Sequence, residues 1–385
     1  MRFRDALAGP GLGAIAEIKR RSPSLGDIRT DADPARIARQ YAAAGAAAVS
    51  VLVDERFGGT WDDLRAARAT TAAPLLAKGF FATEEHLRTA KEAGADAALL
   101  LLRDLDDETT QALMHSAEEL GLDTLVEAHD ADELERAVVL GAPVIGVNAR
   151  DLATFEIDRE TQLALVARIP ADRIAVAESG IRTRAQGAAA ELAGADAILV
   201  GSTLMQAADP AAKLADLLRR PLVKVCGLTR EEDVAVAAEA GADLAGFVLA
   251  PESPRTTTEV LPVPDELLAV AVWVGEAGTS GAPIDQVHER QEGRVRGRNG
   301  VLLREGEQVA RLFDLPWEEQ DPAHWERAAA EPGRIVLAGK LAADNVTSAI
   351  ERVRPWAVDA SSRLESAPGV KDPELVRAYV EAARA

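Results

Sequence analysis

Two lysines, three glutamates and an asparagine in this 385-residue chain recur at one kind of place, the end of a short apolar run. Glu17 and Lys19 close the run at 14–18, Lys78 follows 74–77 and Glu127 follows 123–126. Asn148 and Arg150 follow 144–147, and Glu178 follows 174–177. A charge ending an apolar strand and pointing into a dry interior is costly. Several such charges around one opening instead pair with each other and shift each other's pKa toward a working range. The chemistry on offer is proton transfer and stabilisation of an oxygen gaining negative charge. One such residue alone commonly does no more than solvate a rim, so the argument rests on their matching placement. Anion binding is a second theme. Ser179-Gly180-Ile181 and Gly201-Ser202 follow the seventh and eighth runs, where backbone N–H groups at helix starts can receive a phosphate. Ser22 adds a hydroxyl from the first loop. Each Ser-Gly pair alone is ordinary turn chemistry.

The elements that must carry these groups alternate regularly. Strand candidates lie at Ala14–Ile18, Ala47–Leu52, Pro74–Ala77, Ala97–Leu102, Asp123–Val126, Val144–Val147, Ile174–Ala177 and Ala197–Val200. Ala-rich stretches with helical periodicity separate them, for example Pro34–Ala44, Thr83–Ala93 and Glu108–Leu120; this is the pattern of parallel strands with crossover helices. Ala-Gly-Ala at 44–46 and Ala-Gly-Ala-Asp at 93–96 and 193–196 read as helix C-cap glycines leading into a strand. Eight units in this length fit an α/β fold closed as a (β/α)8 TIM barrel over residues 1–219. An open doubly wound sheet would be expected to carry a glycine-rich fingerprint after its first strand, and that position reads Glu17-Ile-Lys-Arg-Arg-Ser-Pro-Ser24.

A second domain, 220–385, restarts at Leu222-Val-Lys-Val-Cys226 with almost no linker. Strand candidates follow at Leu244–Leu249, Val270–Val274, Arg311–Asp314, Ile335–Ala338 and Ala357–Asp359. Between Val274 and Arg311 the alternation fails, leaving at most a weak strand at Val301–Leu303. Helical crossovers take a dozen or more residues each, so the expected fold here is a shortened or incomplete TIM-barrel-like domain.

A net charge of −20 argues against nucleic acid and anionic membranes as partners. The single cysteine, Cys226, excludes an intramolecular disulfide framework. With no apolar run of membrane-spanning length and no signal-like start, the expected location is the cytoplasm. The five histidines show no metal-ligand spacing, so no metal and no cofactor is expected. The expected partner is a phosphorylated small-molecule substrate.

Seven ordered motifs resemble the signature of indole-3-glycerol phosphate synthases over about residues 3–218. They are Ile15-Ala-Glu-Ile-Lys-Arg-Arg-Ser-Pro-Ser24, Ser50-Val-Leu-Val-Asp-Glu-Arg-Phe-Gly-Gly59, Leu76-Ala-Lys-Gly-Phe80, Val126-Glu-Ala-His129, Ile145-Gly-Val-Asn-Ala-Arg-Asp-Leu152, Ala177-Glu-Ser-Gly-Ile181 and Leu199-Val-Gly-Ser202. The resemblance implies ring closure, decarboxylation and dehydration of 1-(2-carboxyphenylamino)-1-deoxyribulose 5-phosphate in tryptophan biosynthesis. It assigns the carbonyl-directed ammonium to Lys78, a second cation to Lys19 and the proton-transfer carboxylate to Glu127. Glu17, Glu178 and Asn148 would orient sugar hydroxyls and hold the lysines charged. Ser22, Ser179, Gly180, Gly201 and Ser202 would bind phosphate, and Arg150 the substrate.

The second half resembles phosphoribosylanthranilate isomerase through Lys224-Val-Cys-Gly-Leu-Thr229, Ser253-Pro-Arg255, Val336-Leu-Ala-Gly339, Val358-Asp-Ala-Ser-Ser362 and Glu365-Ser-Ala-Pro-Gly-Val-Lys-Asp372. That resemblance makes Cys226 the general base, Asp314 the general acid and Arg255 the partner of a substrate carboxylate. Where the family carries glycines at its phosphate site, this chain has Lys340 and Arg363, and Leu315-Pro-Trp-Glu-Glu-Gln320 replaces its glycine-rich loop. Side chains there obstruct backbone approach to an anion, although the new cations could compensate in part. The expectation is a degenerate isomerase with weak or lost activity. The alternatives are a working enzyme for both steps and an inactive scaffold or binding protein.

Overall fold

A computed structural model describes residues 2–22, 25–151, 154–291, 297–316 and 318–385. Pro23, Ser24, Leu152 and Trp317 of the motifs above lie outside the described residues. The chain divides into two compact units, Met1–Arg182 with Gly187–Leu218, and Thr183–Gln186 with Arg219–Ala385. None of the described helices is long and apolar enough to cross a membrane.

The first unit is a closed barrel of eight parallel strands. They are β1 (Gly13–Ile18), β2 (Ala48–Leu52), β3 (Leu75–Lys78), β4 (Ala97–Leu101), β5 (Asp123–Ala128), β6 (Val144–Asn148), β7 (Ile174–Glu178) and β8 (Ala197–Val200). Crossover helices include Pro34–Ala43, Trp61–Arg68, Glu84–Glu92, Asp107–Glu119 and Ala131–Val139. Those five begin on Asp33, Thr60, Thr83, Asp106 and Asp130, whose side chains accept from first-turn backbone N–H groups, each worth about 1 kcal/mol. The Ala-Gly-Ala-Asp tag is a compound stop. Gly94 turns at φ +97° and Ala95 N donates to Ala90 O at 2.9 Å. Asp96 Oδ2 then accepts from Leu75 N at the start of β3, at 2.8 Å, and Asp196 treats Ala175 of β7 alike.

Period-two alternation sorts each strand into an outward row under the helices and an inward row in the lumen. Ala14, Ala16, Leu75, Ala77, Val126 and Ala177 pack in the outer core. Ile15, Leu76, Leu125 and Val176 pack in the inner one. These four come from the odd strands and form one lumen layer. Two residues further along the same strands stand Glu17, Lys78, Glu127 and Glu178, so the next layer that the odd strands supply is wholly charged. The lower end is plugged by the helix Phe3–Leu7, whose Phe3 and Leu7 are fully buried in the inner core. Asp123 pins that helix, accepting from Arg4 N at 3.1 Å and from Arg2 Nη2 at 2.6 Å.

The second unit also closes with eight strands. They are β9 (Leu222–Cys226), β10 (Leu244–Val248), β11 (Leu268–Val274), β12 (Ile284–His288), β13 (Asn299–Arg304), β14 (Glu307–Phe313), β15 (Ile335–Leu337) and β16 (Ala357–Ala360). The shortening expected from the sequence therefore falls on the crossovers rather than on the strand number. No helix is described between β10 and β14, and β13 runs antiparallel to both neighbours. The turn joining β13 to β14 is Glu305-Gly306, with φ of +53° and +84°, the hairpin geometry that matches strand twist. Reversing one strand removes two crossovers at once, and so this stretch holds more strand than its length implied. β12 escaped the sequence reading because its inward residues beyond Ile284 are Gln286 and His288, which invert the usual pattern.

If the short N-terminal helix seals the first barrel, Phe3→Ala should cost about 3 kcal/mol of unfolding free energy. Urea denaturation followed by circular dichroism checks this, and an unchanged midpoint would show that the plug contributes nothing.

Candidate active site

The charged layer converges on one ammonium group. Lys78 Nζ lies 2.9 Å from Glu178 Oε2, 3.4 Å from Glu17 Oε2 and 3.8 Å from Glu127 Oε2. Lys19 Nζ lies 2.8 Å from Glu17 Oε1, and Asn148 Nδ2 donates to Glu127 Oε1 at 2.9 Å. Glu17, Glu127 and Glu178 are all buried. Each charge is tolerable only because the others surround it.

Two glycines make room for this arrangement. A Cβ on Gly146 of β6 would stand 2.1 Å from Glu178 Oε1, and one on Gly201 would stand 2.2 Å from Glu17 Oε1. Gln162 Nε2 donates to Val147 O at 2.8 Å and to the backbone carbonyl of Glu178, holding the ends of β6 and β7 together. Arg20 fixes the loop that follows Lys19. It donates to both oxygens of Asp63, at 2.6 and 2.9 Å, and to Gly58 O and Ala32 O.

Burial alone would push Lys78 down, but the charges of Glu178, Glu17 and Glu127 outweigh it and hold the ammonium well above its ordinary range. Burial would push Glu17 up, and Lys19 and Lys78 overcome it, leaving the carboxyl below its usual value. For Glu127 the burial effect is likewise overcome, by Lys78, His129 and Asn148, so its pKa falls. Glu178 goes the other way. Burial and the neighbouring Glu127 charge outweigh Lys78, making Glu178 the carboxyl of the cluster that most readily keeps a proton. Two carboxylates pushed apart in this way divide acid and base roles between them.

Above the layer opens a cavity of about 410 Å³. Glu17, Lys19, Ser22, Lys78, Glu127 and Asn148 line it, as do Arg150, Ser179, Gly180, Gly201 and Ser202. Glu178 is absent from the lining and braces Lys78 from below. At the β7 end, Ser179 (φ +70°) and Gly180 (φ +72°) take positive φ in succession, and both line the cavity. A Cβ on Gly180 would meet Ile157 Cγ2 at 2.6 Å, so a larger residue cannot stand there unchanged.

Sequence reasoning missed the apolar wall. Phe57 and Phe80 stack with centroids 6.4 Å apart, Arg56 sits 3.7 Å over the Phe80 ring, and Leu25 and Ile157 join the lining. Phe57 and Phe80 stand within quoted motifs, and their aromatic character beside the charged positions was the available signal. Arg182, Thr203 and Gln206 were also missed, and nothing in their spacing marks them.

In the second barrel, Cys226 ends β9 and Asp314 follows β14, and both line one cavity of about 50 Å³. Gln286, His288, Lys340, Asp359, Ser361 and Arg363 also border it. Lys224 Nζ lies 2.8 Å from Asp359 Oδ2 and donates to Gln286 Oε1 at 3.0 Å. Burial pushes the Cys226 thiol up despite the nearby Lys224. Arg255 stands outside the lining and forms a two-pronged pair with Glu365, at 2.8 Å for each prong. Of the replaced glycines, Lys340 (φ +61°) donates to Glu319 O, and Arg363 pairs with both oxygens of Asp344 at 2.9 and 2.7 Å.

Gly146→Ala should displace the Glu178 carboxylate, unseat Lys78 and lower turnover about a hundredfold while the chain stays folded. Steady-state kinetics beside circular dichroism tests this, and full activity in a folded variant would refute the steric account.

Comparison with known proteins falls in line with this geometry. The profile of the family described as Indole-3-glycerol phosphate synthase matches residues 1–217, and that of N-(5'phosphoribosyl)anthranilate (PRA) isomerase matches 323–382. Over 201 residues the chain is 50% identical to an indole-3-glycerol phosphate synthase of Nocardioides sp., covering 52% of this chain and 77% of that one. Over 214 residues it is 48% identical to the Streptomyces griseus protein of the same name, covering 55% and 80%. A solved phosphoribosyl anthranilate isomerase from Thermus thermophilus is 27% identical over 42% of this chain and 97% of that one, with a TM-score of 0.34. With more than half its length matched by the synthase profile, the chain belongs to the indole-3-glycerol phosphate synthase family.

Proposed function

We propose that the first barrel closes the indole ring of 1-(2-carboxyphenylamino)-1-deoxyribulose 5-phosphate, with loss of CO2 and water, as an indole-3-glycerol phosphate synthase in tryptophan biosynthesis. The observation that carries this reading is the Lys78 ammonium, centred among three carboxylates at the floor of a 410 Å³ cavity that Ser179 and Gly180 also line. That volume lies in the range of roughly 300–1,000 Å³ usual for small-molecule sites.

The substrate phosphate is assigned to the backbone N–H groups and hydroxyls of Ser179, Gly180, Gly201 and Ser202, with Ser22 from the first loop. Phe57 and Phe80 supply aromatic surface for the anthranilate ring. Lys78 donates to the sugar carbonyl oxygen as the ring carbon attacks and charge develops on that oxygen. Loss of CO2 restores aromaticity, so that bond breaks without outside electrons. Departure of the hydroxyl then needs a proton on its oxygen and removal of one from the ring system. Lys19 serves the first need and Glu127 the second in this reading. Glu127 fits its role because Oε1 is held by Asn148 while buried Oε2 has no hydrogen-bond partner. Glu17 and Glu178 keep the two ammonium groups charged, and Arg150 contributes a substrate contact from the rim.

The second barrel reads as an isomerase relic. Its cavity beside Cys226 and Asp314, about 50 Å³, is far below the roughly 300–1,000 Å³ usual for small-molecule sites. Arg255 is paired with Glu365, and Lys340 and Arg363 are turned to internal partners. The compensation those cations could have offered a phosphate is therefore already taken up. A supporting or docking role is what remains for this half.

Lys78→Ala should lower turnover at least about a thousandfold, read as loss of indoleglycerol phosphate fluorescence; a variant near wild-type rate would end the mechanism. The wild-type chain should not isomerise phosphoribosylanthranilate above the uncatalysed rate in a coupled assay. Turnover at an ordinary enzyme rate, about 10 per second, would restore the bifunctional reading.

A further inference from the structure

We infer that His129, braced by Glu133, is a positioning residue that aims Glu127 and holds it as a carboxylate; this rests on the synthase reading of the first barrel. His129 directly follows the last residue of β5 in Val126-Glu-Ala-His129, so Glu127 and His129 are two residues apart and lean to the same side. His129 Nε2 lies 3.1 Å from Glu127 Oε1, and on the other side of the ring Nδ1 lies 3.1 Å from Glu133 Oε2. The backbone N–H of His129 also donates to Glu133 Oε2, at 2.8 Å. Glu133 in turn is fixed, because it sits in the first turn of the helix Ala131–Val139 and its N–H donates to Asp130 Oδ1. The imidazole is therefore trapped between two carboxylates, with only 14% of its side chain exposed.

The consequence falls on the two oxygens of Glu127. Oε1 takes the Asn148 amide and the positive edge of His129, while Oε2 is buried, bonds to nothing and faces Lys78 at 3.8 Å. The contact from Nε2 to Oε1 is an ion pair rather than a well-aligned hydrogen bond, so charge rather than directionality is what His129 contributes. Burial would push the imidazole down, but Glu127 and Glu133 raise it to about 10, which makes it an imidazolium at neutral pH. The other groups facing Glu127 are Lys78, Asn148 and Glu178, and Glu17 faces it across Lys78. Burial opposes the carboxylate form that Lys78, His129 and Asn148 favour. Removing the imidazolium leaves Lys78 and Asn148 against that burial, so Glu127 takes up its proton at higher pH.

Glu133 also serves the helix start, and a merely structural His129 would change stability alone. The test is therefore a pH profile of turnover for the full chain as wild type, His129→Gln, His129→Leu and Glu133→Gln, with melting temperatures alongside. His129→Leu should lower kcat about tenfold with KM little changed. In both His129 variants the acid limb should move to higher pH by about one pH unit. His129→Gln keeps a polar side chain without the charge, so its limb should move as far as that of His129→Leu. Glu133→Gln should move the limb by less in the same direction. An acid limb that stays in place in both His129 variants overturns the inference. A readout independent of turnover is imidazole NMR, in which His129 should stay protonated to about pH 8 in the wild type and lose that protection in Glu127→Gln. Titration of wild-type His129 near its ordinary value overturns the inference as well. A wild-type chain that forms no indoleglycerol phosphate while His129 stays protonated would instead sink the synthase reading and leave the clamp standing.

Discussion

One ammonium group among three carboxylates sets the terms for the first barrel. A lysine at the depth of Lys78 could not remain charged by itself, and none of the glutamates around it would be ionised alone. Together they form a layer whose members satisfy one another above an apolar floor of Ile15, Leu76, Leu125 and Val176. Much else follows from that requirement. Gly146 and Gly201 must lack side chains because carboxylate oxygens occupy the space. Arg20 must hold the first loop because Lys19 stands on it. The lower end has to be sealed, and the buried helix Phe3–Leu7 does so.

The layer is electrostatically uneven, and that unevenness is useful. Burial acts on every carboxyl alike, but the neighbours do not. Glu127 has Lys78, His129 and Asn148 on its side, whereas Glu178 has the Glu127 charge against it. A proton on the cluster therefore resides on Glu178 before it resides on Glu127. The group facing the cavity stays a base and the group underneath stays a reservoir.

The second barrel shows what happens when the same kind of ring closes in on itself. Lys224 with Asp359, Arg255 with Glu365 and Arg363 with Asp344 are pairs complete within the protein. Each answers the need of a semi-buried charge with a side chain rather than a ligand. Its strands still close, because closure depends on backbone pairing around the ring, and a reversed β13 pairs as well as a parallel one. Closure of the sheet and survival of a pocket are thus separate matters.

Much of the first barrel was legible because its period-two strands, Ala-Gly-Ala stops and strand-end charges are local features that repeat. The residues read as the site, from Glu17 to Ser202, all stand around or directly under one cavity. Less of the second was legible. Ile284–His288 carries polar residues inward, and nothing local distinguishes a strand facing a polar lumen from a loop. Arg255 was read as open to a substrate carboxylate, and only the fold brings Glu365, 110 residues away, against it.

The sequence by itself determined the kinds of element, their order around the first ring and the chemical identity of the groups at its mouth, since strand period and helix stops are written residue by residue. Only tertiary structure decided which oxygen of Glu127 is held and which is left bare, that Phe57 and Phe80 form a wall, and that the cavity above Lys78 has 410 Å³ where the one beside Cys226 and Asp314 has 50 Å³. Those outcomes depend on distances between residues remote in the chain, and a pKa or a cavity is a property of such distances.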